Sequence, residues 1–338
     1  MKIIVENSTW NNVGDGWYQT ALYFLLKNNF LQHDIMMGDG PIRRSFRLYK
    51  KKQMSNALNL MEYERADLHV LSGPILPSVI RDYATMITDI KRKGEKYCMI
   101  SVSGTNLNRD KQDEIGTFLK ENPPMFVSTR DEETYNWLKE YVPNIYNGIC
   151  TAFLVGKVIP LADIKLPKPF FISSFYTELE PLYSLKEYSK TCSIENIEVK
   201  HRRTILHLPY RITRHFNYLL SQQKEIGETL IVRTIQNLNT KFNHINFATP
   251  NSFISFNPVN YLSLVKASEF TISDRVHACA VSLSLGHPVR FLFNTPRAGI
   301  FDRMGFNYKS NNGIMYPNQE KIDEEMNKLV NFIGNYIS

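Results

Sequence analysis

What this sequence lacks narrows its class before any motif is read. Its four cysteines, Cys98, Cys150, Cys192 and Cys279, are far apart in 338 residues, so no zinc motif, redox pair or disulfide scaffold is present. Three of them sit in apolar stretches and read as inert buried thiols. No apolar run reaches the length of a membrane-spanning helix. The opening Met1-Lys2-Ile3-Ile4-Val5-Glu6 is too short in apolar length for a signal peptide, so it is expected to be a buried strand and the protein cytoplasmic. With 16 glycines, 16 prolines and 43% hydrophobic residues, neither collagen nor a mostly disordered chain fits. The P-loop, H-E-x-x-H, G-x-S-x-G, G-x-G-x-x-G and paired Asp-x-Asp patterns are all absent. No ligand cluster suggests a metal, and no cofactor is expected.

What is present is a basic chain with a regular alternation. The net charge of +7 suits an anionic small substrate, a phosphate-bearing lipid or a nucleic acid. At this length two domains are expected. Strand-like runs at 2–5, 33–37, 68–72, 97–103 and 125–129 alternate with helical spacing at 17–27, 54–65, 79–92, 110–121 and 131–140. Near-continuous apolar strands between helices predict a parallel sheet covered on both faces. Pro160, Pro167 and Pro169 mark a linker over 156–170, followed by a weak helical signal at 181–191. The alternation restarts with a strand at 204–210 and helical spacing over 213–241, although 230–235 also reads as a strand. Strands at 245–249, 269–273 and 288–293 and helices at 257–267, 274–285 and 319–337 complete it. The expected fold is α/β, with two doubly wound domains, 1–165 and 166–338, and a cleft between them.

In open parallel sheets ligands sit beyond the carboxyl ends of strands. The loop Asn12-Val13-Gly14-Asp15 joins the first strand to the first helix. Its small residues permit close backbone approach, and Asp15 is either a helix cap or a ligand group. Ser273-Asp274-Arg275-Val276-His277 joins a strand to a helix. Ser273 or Asp274 can cap that helix, its first-turn amides favour an anion, and Arg275 offers a fork of donors. His277 in the same turn is either a packed core histidine or a proton carrier near neutral pH. Arg211 and Arg214 form a second cationic corner, which can equally be a solvated helix start. The basic cluster Arg43, Arg44, Arg47, Lys50, Lys51 and Lys52 reads as a solvated loop or a contact for anionic lipid; no recognition motif supports nucleic acid.

These segments carry a resemblance. TISDRVHACAVSLSLGHPVRF (271–291) resembles the C-terminal signature of the polysaccharide pyruvyl transferase family, with Asp-Arg-x-His opening a small-residue helix and Gly-x-Pro closing it. Asn12-Val13-Gly14-Asp15 resembles the family's Asn-x-Gly-Asp loop, and VSTRDEETYNWL (127–138) its Ser-x-Arg-Asp-Glu segment through Arg130 and Asp131. Ser72-Gly73-Pro74 and Cys150-Thr151 depart from the family's Gly-Gly and Pro-Asp. The resemblance implies two Rossmann-like domains in a GT-B-like arrangement. It implies pyruvyl transfer from phosphoenolpyruvate to two sugar hydroxyls, giving a cyclic ketal, in bacterial surface polysaccharide biosynthesis. The acceptor would be lipid-linked or nucleotide-linked, with peripheral contact at the inner membrane surface. Arg211 and Arg275 would then hold the donor in the second domain, with Ser273, Asp274 and Arg214 nearby. His277 would do acid–base work, and Asn12, Gly14 and Asp15 would face the acceptor. The alternatives are a GT-B glycosyltransferase using a nucleotide sugar and a non-catalytic subunit of a polysaccharide assembly complex.

Overall fold

The apolar run at the start forms a central strand, β1 (Lys2–Glu6), covered on both faces. The computed structural model describes residues 1–7, 10–41, 60, 63–187, 189, 191–202, 219–238 and 247–337. Arg211, Arg214, the strand expected at 204–210, the basic cluster at 43–52 and residues 54–59 and 61–62 of the helix expected at 54–65 lie outside the described residues; residues 63–65, expected to end that helix, form a turn and an irregular stretch. Around β1 stand β2 (Asp34–Gly38), β3 (Leu68–Gly73), β4 (Lys96–Val102), β5 (Val127–Thr129) and β6 (Ile145–Tyr146), in the order β2-β1-β3-β4-β5-β6. Every pairing is parallel. The order reverses between β1 and β3, and that switch point opens a crevice at the carboxyl edge. Helix α1 (Val13–Asn29) begins there, four residues earlier than its apolar spacing predicts, so Gly14, Asp15 and Gly16 are helical and buried. Helices α2 (Val79–Arg92), α3 (Arg109–Glu121) and α4 (Glu132–Leu138) follow β3, β4 and β5. Asn108 and Asp131 cap α3 and α4 through their side-chain oxygens.

The second sheet begins with β7 (Phe170–Ser174). Where a helix was expected over 181–191, the chain forms β8 (Leu182–Leu185), which pairs antiparallel with β9 (Ile197–Lys200). Buried Tyr183 between exposed Leu182 and Ser184 has the period of two that a half-covered strand needs. Next come β10 (Glu225–Ile226), β11 (Thr229–Thr234), β12 (Ser252–Phe253), β13 (Thr271–Ser273), β14 (Val289–Phe291) and β15 (Ile314–Met315). The order is β10-β11-β7-β13-β14-β15, with β12 beside β11. Residues 230–235 therefore follow the strand reading, and helical spacing over 213–241 does not extend to them. Residues 247–249, expected to end a strand, run as helix and turn into Pro250. Helix α5 (Pro258–Lys266) precedes β13, and α6 (Val276–Ser284) follows it.

One apolar cluster runs through both sheets. It joins Ile3 and Val5 of β1, Trp17 and Leu22 of α1, Phe170 and Ile172 of β7, and Ala278 and Val281 of α6. At Gly156 a Cβ would stand 2.4 Å from the Ser284 carbonyl oxygen, so only glycine lets that segment reach α6. The last helix, α7 (Gln319–Ile337), spaces Ile322, Leu329, Ile333 and Ile337 along one buried face. Although it closes the second half of the chain, its rings lie over the first sheet. Phe332 and Tyr336 pack on Phe126 at 5.6 and 4.8 Å, and Phe332 stacks on Tyr146 at 4.9 Å. Among the described residues no helix is long and apolar enough to cross a membrane.

The first sheet also holds a titratable trio, with His69 and Glu6 buried and Glu95 half-buried. His69 Nδ1 lies 2.7 Å from Glu6 and Nε2 3.0 Å from Glu95. Burial alone pulls the His69 pKa down, but hydrogen bonds and charge from Glu6 and Glu95 overcome it, and the net shift is upward. A folded pKa raised above the unfolded value of about 6.5 adds stability that is complete below that value. This contribution disappears as pH rises through the folded pKa. The urea midpoint of the wild type should therefore exceed that of His69→Gln most at pH 5.5, and the gap should narrow steadily toward alkaline pH. A constant gap would show that the ring stays neutral.

Candidate active site

The carboxyl edges of the two sheets meet, and the strand-to-helix corners of both fill the junction. Asn12 is the N-cap of α1, yet its side chain makes no cap hydrogen bond. Its Oδ1 instead accepts from Arg275 Nη2 at 2.5 Å. The backbone bridges the halves beside it: Val13 N–H donates to Gln236 O at 2.8 Å, and Leu238 N–H to Asn11 O at 2.7 Å. Arg275 is the N-cap of α6, and the ring of Tyr176 lies 4.9 Å from its guanidinium carbon.

His277 stands in the first turn of α6 against residues of the other half. Its ring meets Tyr18 edge to face at 5.2 Å, and Nε2 lies 3.2 Å from Arg130 Nη1. A guanidinium has only donors, so donor–acceptor logic makes Nε2 the acceptor and puts the proton of the neutral ring on Nδ1. Burial, then the charges of Arg130, Arg297 and Arg275, hold its pKa well below the usual histidine value. Three arginines thus act on this one histidine, Arg130 by contact and Arg297 and Arg275 through charge. A bound anion would offset their repulsion.

Gly14 is what lets α1 come this close. A Cβ at that position would stand 3.0 Å from His277 Nδ1 and 3.6 Å from Asn12 Oδ1. Gly14→Ala should displace the imidazole by tenths of an ångström, cutting turnover roughly tenfold while the urea midpoint moves little. A loss of stability without a loss of turnover would make this a packing glycine. Asp15, one residue on, is 8% exposed, and its charge acts on Arg275.

Two of the expected ligand groups are engaged in the framework. Asp274 accepts from the backbone N–H groups of Tyr176, Thr177 and Glu178 at 2.5–3.0 Å, so its carboxylate fixes the loop after β7. Ser273 Oγ donates to Ser174 O at 2.6 Å and accepts from Arg275 N–H at 2.9 Å. Ser273 therefore holds the backbone of Arg275, and Asp274 holds the loop that carries Tyr176. Arg211 and Arg214 lie outside the described residues.

Several residues were missed. Arg130 is 2% exposed, and its Nε has no hydrogen-bond partner among the described residues. The Asp131 Oδ2, Ser72 Oγ and Gln236 Oε1 atoms, at the carboxyl ends of β5, β3 and β11, are likewise buried without hydrogen-bond partners among the described residues. Unsatisfied buried polar atoms are rare in folded chains and gather where a ligand completes the bonding. The Arg130-Asp131 pair was quoted in the resemblance and could have been carried over from it. Gln236 was hidden by the helical reading of its segment. Exposed Arg297, beyond the last sheet strand that faces the site, had no sequence signal at all.

The arrangement fits what comparison with known proteins finds. The family model described as polysaccharide pyruvyl transferase matches residues 12–294. The S. aureus MnaA–UDP co-structure is 12% identical with a TM-score of 0.54, over 99% of this chain and 89% of that one. A Listeria monocytogenes protein described as a UDP-N-acetylglucosamine 2-epimerase is 11% identical with a TM-score of 0.52, over 100% and 89%. At such identities the likeness is one of fold, the GT-B-like pairing of two α/β units. No curated protein matches the sequence. The match over 12–294 takes in both corners that meet at the cleft, Asn12 to Asp15 and Ser273 to His277, together with Arg130, and on it this chain is a transferase belonging to the polysaccharide pyruvyl transferase family.

Proposed function

We propose that the protein moves the pyruvyl group of phosphoenolpyruvate onto two hydroxyls of a sugar, with release of phosphate. The observation that carries this reading is the contact of His277 with Arg130, with the charges of Arg297 and Arg275 acting on the same imidazole. Phosphoenolpyruvate brings a phosphate and a carboxylate, and three guanidinium groups match that pair of anions.

The chemistry needs a proton on the methylene carbon, two hydroxyl protons removed and phosphate expelled. One sugar oxygen bonds to C2 as C3 becomes a methyl group. The C2–O bond to phosphate then breaks, and the second sugar oxygen closes the ketal. In the free protein Arg130 occupies Nε2 of a neutral imidazole. An arriving dianion is a better acceptor for Arg130 than an imidazole nitrogen, and it also raises the His277 pKa. Donor binding thus frees Nε2 and favours its protonation, which readies His277 to take and return a proton. Asp15 and Asn12 lie on the α1 side, where the acceptor would stand, and Asp15 would orient or activate a hydroxyl. The unspent atoms of Ser72 and Asp131 are suited to sugar hydroxyls.

The deciding experiment offers the protein phosphoenolpyruvate with sugar acceptors and follows inorganic phosphate. Acceptor-dependent phosphate release with a ketal in the product supports the reading, whereas phosphate release without a ketal overturns it. The bound UDP of the S. aureus MnaA structure motivates a second reading, a nucleotide-sugar transferase with the same arginines on a diphosphate. A thermal-shift comparison separates the two. A ligand at ~100 times its dissociation constant stabilises by ~2.7 kcal/mol, so the preferred donor should raise Tm and the other should not.

A further inference from the structure

Away from this site the second sheet carries a cavity of about 1080 Å³, open to solvent between the β8–β9 hairpin and the β14–β15 edge. It shares none of the cleft residues described above. Pockets for drug-sized ligands run to ~300–1,000 Å³, so this one has room for several rings and is far larger than a single phosphate needs.

Its charge is unusual. Arg290 lines it at 6% exposure, held by the carbonyl oxygens of Ile197 at 3.0 Å and Ile194 at 2.7 Å. Among the described residues it has no carboxylate within ion-pair distance. Its direct partners are neutral carbonyls, and the charge of Glu195 acts on it only from beyond ion-pair distance, which leaves room for a further anion. Lys186, Lys200 and Lys309 also line the cavity, exposed and without ion pairs among the described residues. Glu195 and Glu198 are the two carboxylates of the lining, against Arg290 and the three lysines; Glu195 accepts from Tyr316 Oη at 2.7 Å, and Glu198 stands 3.4 Å from Ser184 Oγ. The lining is net positive. Tyr308 and Tyr316 add aromatic surface beside the lysines. A ring with a C–H face packs on such surface while its carboxylate reaches an ammonium group.

We propose that this cavity is a second binding site, for an acidic saccharide, in which carboxylates pair with the lysine rim over Arg290 and sugar faces lie on the tyrosines. The anionic character follows from the cavity alone. The choice of a saccharide rests on the pyruvyl-transfer reading, because a pyruvyl ketal puts a carboxylate on the sugar. The site would hold an already acidic part of the glycan while another part occupies the cleft.

Calorimetric titration with tetrasaccharides tests this on the full chain. The probes are oligogalacturonate and hyaluronan as acidic ligands, chitotetraose as a neutral one, and inorganic phosphate. At least one acidic probe should bind wild type, bind at least tenfold more weakly to Lys200→Glu/Lys309→Glu, and bind His277→Asn as it binds wild type. No acidic binding, equal binding of chitotetraose, equal binding of phosphate, or no effect of the double charge reversal would each overturn the proposal. Both lysines are exposed, so a folding defect is not expected, and circular dichroism checks it. Acidic binding without any consumption of phosphoenolpyruvate would keep this site and remove the pyruvyl-transfer reading.

Discussion

His277→Asn should leave the affinity for phosphoenolpyruvate within a few-fold of wild type and lower turnover by ~10²–10⁴. Asparagine keeps polarity and much of the volume, and it can still accept from Arg130, but it cannot exchange a proton. The arginines that would hold the donor are untouched, which is why binding and turnover should separate. Single-turnover measurement of phosphate release, with donor affinity from calorimetry, reads the two apart. Equal losses of stability and turnover would mark His277 as structural. Near-normal turnover in a well-folded variant would move the proton chemistry to Asp15.

Arg130→Met should lower kcat/KM at neutral pH by ~10²–10³, as expected when a donor to a developing or bound anion is removed. It should also move the pH profile, and the sign follows from the charges around His277. Arg130 is one of the groups that depress the His277 pKa, second only to burial. Without it that pKa rises, so the neutral form that accepts a proton is lost at a higher pH. The acidic limb of the kcat/KM profile should therefore shift to higher pH in Arg130→Met and stay near its wild-type position in Arg130→Lys, which keeps the charge. An unshifted limb in the methionine variant would exclude His277 as the group that titrates there. Arg130 is almost fully buried, so urea midpoints are needed beside the kinetics.

How much of this was legible in the sequence depends on how local each signal is. Helices at 79–92 and 319–337 were read to the residue, because their apolar spacing is unambiguous. The parallel strands around Leu68 and Tyr97 were legible for the same local reason. The β8–β9 hairpin was not, since a short half-covered strand with polar residues mimics a weak helix over ten residues. The start of α1 was placed late because Gly14, Asp15 and Gly16 are poor helix formers; packing against Pro258 and His277 overrides propensity there. At the site, the Ser273-to-His277 corner announced itself by type and spacing. Nothing local says that Arg130 will reach His277, 147 positions later. Nor does any local feature show that Asp274 serves three backbone amides; that depends on where β7 and β13 come to lie. Long-range pairing is a property of topology, and only the resemblance had put Arg130 on the page.

The apolar cluster shared by both sheets, with α7 laid back over Phe126 and Tyr146, ties the two lobes together through a common core. A chain cut near residue 165 would leave Trp17 and Leu22 on one piece and Ala278 and Val281 on the other, each facing water where it now faces protein. Neither lobe is then a module that can be borrowed by fusion or exchanged between relatives by recombination at the linker. Variation in what the protein handles has to arise within the intact chain, by substitution in the loops at the strand ends, where changes leave the common core alone.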